Sequence, residues 1–375
     1  MKQQKVLLGL SGGVDSAVAA MLLKKQGYEV IGAFMRCFSG KNILNGECSY
    51  LEDKKDAQRI AAKLNIEFIE LDYEKEYKTQ VLDEMFNAYE KGITPNPDSQ
   101  CNVKIKFPFL WKEAKKLNCD YIATGHYIKK IIRNNTKLHL ISNNKEKFSY
   151  QLKIPKDKSK DQTYFLYGLN QKDLEHTLFP IGDYTKSEVR KIAKTNNLHN
   201  WNKHGTRGLC FVGNIDLKQF LKQKIKNKPG KILSPEGKIL GTHQGIQFYT
   251  IGERIKEEME INKEYKNKIK SKLYIAEKNT RSNTLTIAPK NHKILFKKQF
   301  RIKKINYINE RPKFPLNNVK VRIRHLGQLI PAQIIKTNNK IIIKLKNSIQ
   351  GIANGQSAVI YTNSGIMLAG GEIDY

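Results

Sequence analysis

The chain has 375 residues, 39% of them hydrophobic, and 67 Lys and Arg against 35 Asp and Glu give a formal net charge of +32. That length allows two or three domains with cores of their own and excludes a small disulfide-held scaffold. No apolar run reaches the ~18 residues of a membrane span, so no membrane contact is expected, and the charge excess points to a polyanionic partner, nucleic acid first.

The first elements alternate. Lys5 to Leu10, "KVLLGL", reads as a buried strand and Ala17 to Lys25 as a helix. Between them stands Ser-Gly-Gly-Val-Asp-Ser, residues 11–16. Gly12 and Gly13 let a ligand approach the main chain, and Ser11 and Ser16 add hydroxyls near a helix start. Free N–H groups there suit an anion, most often phosphate. No lysine follows the glycines, so this is not a Walker A loop, and the spacing is not G-x-G-x-x-G. An ordinary strand-to-helix turn would also use Gly and Ser. Asp15 favours the phosphate reading, because a carboxylate beside polyphosphate needs Mg²⁺ between them. The opening residues look like a signal peptide, but Ser11 and Asp15 interrupt the apolar run, so a cytoplasmic protein is expected.

Further strands are expected at 28–35, 66–73 and 119–127, with helices at 56–64 and 76–92. This alternation implies a parallel sheet covered by helices, with ligands beyond the carboxyl ends of its strands. Met35 and Gly125-His126 fall on that edge together with the glycine loop. Residues 128–155 suggest a hairpin excursion, and 161–200 return to helical patterns, with Thr185 and Glu188 spaced as a capping box. Residues 228–252 are turn-rich, with short strands, and from about 290 short strands with Gly and Asn-Asn turns suggest a small β-barrel.

Five cysteines, Cys37, Cys48, Cys101, Cys119 and Cys210, make an odd number with no C-x-x-C pair. That argues against a disulfide framework and against a zinc site. Cys101 lies in "TPNPDSQCNVKIKF", on a loop stiffened by Pro95 and Pro97 just before a helix. Lys104 and Lys106 stand close by, so a lowered thiol pKa is expected there. Cys210 lies between glycines in "GTRGLCFVGN". The other three read as small buried hydrophobes.

Together with "DYIATGHY", "KDQTYFLYGL", "LFPIGDYTKSEVRKIA" and "HQGIQFYTIGER", these stretches occur in an order that resembles the tRNA-specific 2-thiouridylase family. That family belongs to the PP-loop ATP pyrophosphatases. The resemblance runs nearly end to end and is carried by the whole set. It implies an α/β PP-loop domain of the adenine nucleotide α-hydrolase type, a small central domain and a C-terminal β-barrel, expected here at 1–215, 216–288 and 289–375. It implies ATP and Mg²⁺ as cofactors, and as partners a persulfide sulfur donor and the wobble-uridine tRNAs for Lys, Glu and Gln. The C2 oxygen of the wobble uridine is adenylated and then replaced by sulfur from a cysteine persulfide.

By the same resemblance Gly9, Leu10, Ser11, Gly12, Gly13, Val14, Asp15 and Ser16 hold the nucleotide with Met35 and Gly125, and Asp15 is the Mg²⁺ ligand. Asn96, Pro97 and Asp98 meet the target base, and Asp98 assists proton transfer. Cys101 is the nucleophile, Cys210 carries the persulfide, and the two form a transient disulfide. His126, Lys160, Asp161, Gln162, Arg322, Ile323 and Gln356 contact tRNA. Departures from the family's pattern are Gly205 and Arg207 before Cys210, "IGER" for "IGQR", and Ile323 where an aromatic is common. Two rivals remain: a PP-loop enzyme that amidates a small metabolite, and a tRNA-binding protein without catalysis.

Overall fold

A computed structural model describes residues 3–40, 50–134, 148–205, 210–213, 215–255, 259–269, 271–338 and 340–375. The chain begins with β1 (Lys5–Gly9), α1 (Val14–Lys25), β2 (Glu29–Arg36), α2 (Tyr50–Leu64) and β3 (Glu67–Asp72). Helices α3 (Glu74–Tyr77) and α4 (Asp83–Glu90) are joined by a π-helical turn over Lys78–Leu82. The single helix expected over 76–92 is therefore widened in its middle. Next come α5 (Pro97–Cys101), a second π-turn over Asn102–Lys106, α6 (Phe107–Lys116) and β4 (Tyr121–Thr124). The expected hairpin is present as β5 (Lys129–Asn134) and β6 (Phe148–Lys153), paired antiparallel. Then follow α7 (Gln171–Glu175), β7 (Thr177–Leu178) and α8 (Lys186–Thr195).

The strands make one sheet in the order β3-β2-β1-β4-β7, parallel throughout. β1 is central and buried on both faces. Val6 and Leu8 face a core built with α1, α2 and α8, while Leu7 faces Leu110 and Phe107 of α6. Such double burial is what an uninterrupted apolar strand requires. The chain leaves β1 toward β2 and β3, then returns to place β4 on its other side. The order reverses between β1 and β4, and open parallel sheets bind ligands at such a point.

A second sheet follows, ordered β10-β9-β8-β12-β11, from β8 (Gly230–Leu233), β9 (Ile239–His243), β10 (Glu260–Ile261), β11 (Leu273–Asn279) and β12 (Thr284–Pro289). The last six strands close a barrel: β13 (Phe296–Tyr307), β14 (Leu316–Arg322), β15 (Ile330–Thr337), β16 (Lys340–Gln350), β17 (Ser357–Thr362) and β18 (Met367–Asp374). In β16, Ile341, Ile343 and Leu345 point into the barrel core, while Lys344 and Lys346 point out. The period of two turns a Lys/Ile-rich sequence into an apolar lining under a basic skin. No helix among the described residues is long and apolar enough to cross a membrane.

Candidate active site

The loop after β1 is shaped by close backbone approaches. Gly12 has φ +75°, and a Cβ there would lie 2.2 Å from the Asp53 carbonyl oxygen. Gly125, just past β4, sits so close that a Cβ would lie 2.7 Å from the Ser16 nitrogen. Both expected edges of the site therefore meet at the start of α1, and Met35, next to the end of β2, is buried. The N-cap of α1 is Gly13, which offers no side-chain acceptor. Ser16 Oγ instead accepts from the Ser11 N–H at 3.2 Å and donates to the Gly13 carbonyl at 3.0 Å, which fixes the turn. Replacing Gly12 with alanine should lower ATP affinity at least tenfold by equilibrium dialysis. The left-handed backbone alone costs about 1–2 kcal/mol in a non-glycine residue, and Asp53 must also move.

Asp15 is not bare. Both its oxygens lie 2.7 Å from Lys186 Nζ, and the Tyr127 hydroxyl donates to Oδ1 at 2.8 Å. Lys186 opens α8, whose N-terminus is the expected capping box of Thr185 and Glu188. Asn200 is buried and donates to the Gly12 carbonyl at 2.9 Å, and its own Oδ1 has no partner among the described residues. Lys186, Tyr127 and Asn200 escaped the sequence reading, although two of them lie within quoted stretches.

The second centre is a pair of thiols. Asn96 caps α5, accepting from the Ser99 N–H at 3.2 Å, and Pro97 takes the first helical position, where its missing N–H costs nothing. Cys101 is therefore helical and fully buried, not on an extended loop. Its Sγ lies 3.7 Å from Cys210 Sγ. That is a hydrogen-bond contact between free thiols, well beyond the ~2.05 Å of a bond. Asp98 Oδ1 accepts from the Cys210 N–H at 2.9 Å, and the Tyr77 hydroxyl donates to the Cys210 carbonyl at 2.6 Å. Lys106 Nζ lies 3.6 Å from Cys210 Sγ.

The acidity expected of Cys101 belongs to Cys210. Burial pushes the Cys101 thiol well above its ordinary value. The hydrogen bond from Cys101, then the charge of Lys106, pull Cys210 down to about 7 against its own burial. Lys104 is spent on Glu84, and Lys106 reaches past Cys101 to the other sulfur. Burial raises the Asp98 carboxyl, so it can take or release a proton nearer neutrality than a surface aspartate. Cys37 and Cys119 are buried, as expected, while Cys48 and Arg207 lie outside the described residues.

The residues expected at tRNA fall into two groups. Lys160 is exposed, and Gln162 and Gln356 are half-buried. Gln162 Oε1 accepts from the Tyr127 N–H at 2.9 Å, and Gln356 donates to the Pro95 carbonyl at 3.1 Å. The other four have inward partners. Asp161 has no exposed surface and binds Arg322, itself buried, together with the Thr163 hydroxyl at 2.7 Å. Ile323 is buried, and its carbonyl accepts from the Tyr164 hydroxyl at 3.2 Å. His126 is buried against Phe107 and bonded to Thr124 Oγ1 at 2.8 Å, and burial lowers its pKa, leaving it neutral. Arg324 and His325, unremarked in the sequence, are also exposed at this corner.

Residues 4–214 match the family described as tRNA methyl transferase HUP domain, 218–289 the tRNA methyl transferase PRC-barrel domain and 297–373 the aminomethyltransferase beta-barrel domain. The chain is 39% identical to tRNA-specific 2-thiouridylase MnmA 1 of Geobacillus kaustophilus, over 97% of this chain and 94% of that protein. It is 36% identical to MnmA 2 of Aliarcobacter butzleri, over 100% and 99% of the two chains. With MnmA of Clostridioides difficile the identity is 37%, over 99% and 98%. Matches of this extent, over a PP-loop sheet, a central sheet and a closed barrel, mean that the chain belongs to the tRNA-specific 2-thiouridylase family.

Proposed function

We propose that this chain is an ATP-dependent tRNA sulfurtransferase that thiolates C2 of the wobble uridine, U34. The observation that carries the reading is the 3.7 Å pair of Cys101 and Cys210, placed directly after the Asn96-Pro97-Asp98 turn. One helical run leads from that turn through α6, which packs on β1 beneath the phosphate loop. The net charge of +32 and the thiouridylase names of the relatives support tRNA as the substrate.

The chemistry needs two activated groups. Uridine's urea-like carbonyl is a poor electrophile, and oxide is a poor leaving group. Attack of the C2 oxygen on the α-phosphorus of ATP forms the O–P bond and expels pyrophosphate, so AMP becomes the leaving group. The outer sulfur of a Cys210 persulfide then attacks C2. Cys101 attacks the Cys210 sulfur, the S–S bond to the incoming sulfur breaks, and its electron pair stays on that sulfur as AMP departs. A Cys101–Cys210 disulfide remains, which a cellular thiol reductant must reset. Asp98, three residues before Cys101 on α5 and hydrogen-bonded to the Cys210 N–H, is assigned to proton transfer.

Around ATP, the free N–H groups of α1 and the two glycines receive the phosphates. Mg²⁺ is usually held by one or two carboxylates plus substrate phosphates, and Asp15 would supply one such oxygen if released from Lys186. No cluster of three metal-ligating side chains exists among the described residues. At Asp15 the ion would neutralise phosphate charge. The substrates are tRNAs of the Lys, Glu and Gln type, the sulfur comes from a persulfide donor protein, and the site of action is the cytoplasm.

One assay tests the reading. With α-labelled ATP, purified tRNA and a persulfide donor, each thiolated uridine should be matched by one AMP and one pyrophosphate. Mass spectrometry of nucleoside 34 reports the product. Release of ADP and phosphate, or an unthiolated wobble base, would overturn it.

A further inference from the structure

Cys101 and Lys106 are five residues apart on one helical run, yet both reach the same sulfur. Cys101 Sγ lies 3.7 Å and Lys106 Nζ 3.6 Å from Cys210 Sγ. An α-helix at 3.6 residues per turn would set residues five apart about 140° from each other, on different faces. The turn between them is not α. The Phe107 N–H bonds to the Asn102 carbonyl, an i→i+5 closure, and the π-turn Asn102–Lys106 brings residue 106 round to the face that carries residue 101. Lys106 makes no ion pair with a carboxylate among the described residues, and it contacts the Cys210 sulfur and the Phe211 ring, the latter 5.4 Å away. By contrast, its neighbour Lys104 pairs with Glu84 at the surface.

We propose that Lys106, carried into place by the π-turn, is a positioning residue that selects Cys210 over Cys101 as the sulfur-accepting thiolate. The proposal rests on the thiolation reading only for what the thiolate later does. The ammonium beside Cys210 favours negative charge there, and the proton of the pair stays on Cys101, which donates it as a hydrogen bond. Cys210 thiolate then attacks the outer sulfur of a donor persulfide, forming Cys210–S–SH and releasing the donor's own thiolate. The same ammonium faces the persulfide anion. The other groups around the pair are Asp98 on the Cys210 N–H, Tyr77 on the Cys210 carbonyl, and the buried Cys37 thiol nearby. Asp98 opposes a negative charge on Cys210, and Tyr77 and Cys37 are neutral near pH 7, so among the described residues Lys106 is the cation at this sulfur.

The test is the pH dependence of iodoacetamide alkylation at Cys210 in the full chain, read by peptide mapping, without ATP or tRNA. Alkylation follows the thiolate fraction. The unaltered protein should alkylate at Cys210 before Cys101, with a midpoint near pH 7. In Lys106→Gln and Lys106→Met the midpoint should rise by about one unit or more, slowing reaction several-fold at pH 7. Lys106→Arg should restore the low midpoint, and Lys104→Gln should leave it unmoved. Thermal melts confirm that each variant is folded. An unchanged midpoint in either folded neutral variant, or preferential alkylation of Cys101 in the unaltered protein, would sink the proposal. A shifted midpoint in a protein that then fails to thiolate tRNA would leave Lys106 its role and remove the thiolation reading alone.

Discussion

Cys210→Ser should stop sulfur transfer entirely, and Cys101→Ser should stop it one step later. With a labelled persulfide donor, the Cys101→Ser protein should still load sulfur onto Cys210. It lacks the thiol that must break the S–S bond, so thiolated tRNA should fall by about a thousandfold or more, as when a nucleophile is removed. The Cys210→Ser protein should carry no label, yet should still form AMP–tRNA, because the phosphate loop and the Asn96-Pro97-Asp98 turn are untouched. Cys37→Ser and Cys119→Ser should keep activity. Both are buried, so their loss would be in stability, on the scale of about 1–3 kcal/mol for an imperfectly paired hydroxyl in a core. Label mapped mainly to Cys101, or full thiolation by either single mutant, would reverse or remove these roles.

The next largest effect should come from a residue pair with no chemistry of its own. Asp161 and Arg322 form a buried ion pair between the segment after the hairpin and the end of β14. Arg322 also lies over the Tyr361 ring at 5.4 Å, and the Tyr361 hydroxyl shares a 2.9 Å hydrogen bond with Thr163. Asp161→Ala would strand the guanidinium and should cost about 3–5 kcal/mol, read as a drop in the urea midpoint. The double variant Asp161→Leu with Arg322→Met should recover most of that stability, since both charges leave together. It also separates two roles. If the pair only braces the barrel against the catalytic domain, the double variant should bind tRNA as tightly as the unaltered chain. If the side chains meet RNA, stability should return without affinity. A single variant with an unaltered midpoint would show that the pair carries no weight.

Much of this site was open to reading in one dimension. Ser-Gly-Gly-Val-Asp-Ser sits between a fully apolar strand and an apolar helix, so its place at a sheet edge follows from local chemistry. Thr185 and Glu188 announce a helix start, and the alternation in β16 announces a barrel wall. What stayed hidden depends on distance along the chain or on depth. Lys186 reaches Asp15 across 171 residues, and nothing local to either marks the other. Tyr127 reaches it across 112. Closeness in sequence to Lys104 and Lys106 points to Cys101 as the acidic thiol, whereas Lys104 turns to Glu84 and Lys106 meets Cys210. A π-turn leaves no trace in hydrophobic periodicity, and burial, which sets Cys101 apart, is a property of the whole fold.

The turn that carries Asn96 is held from far downstream. The Thr94 N–H bonds to the Asn354 carbonyl at 3.0 Å, Asn96 donates to Ser357 Oγ at 3.1 Å, and Gln356 reaches back to Pro95 across 261 residues. Translation runs at about 5–20 residues per second, so that span takes about 13–50 s to synthesise. While the ribosome is still adding the barrel, the parallel sheet has all its strands, but the Asn96-Pro97-Asp98 turn has nothing to lean on. A nascent chain can therefore complete its glycine loop long before that turn is braced, and the brace waits for the last strands of the protein to emerge.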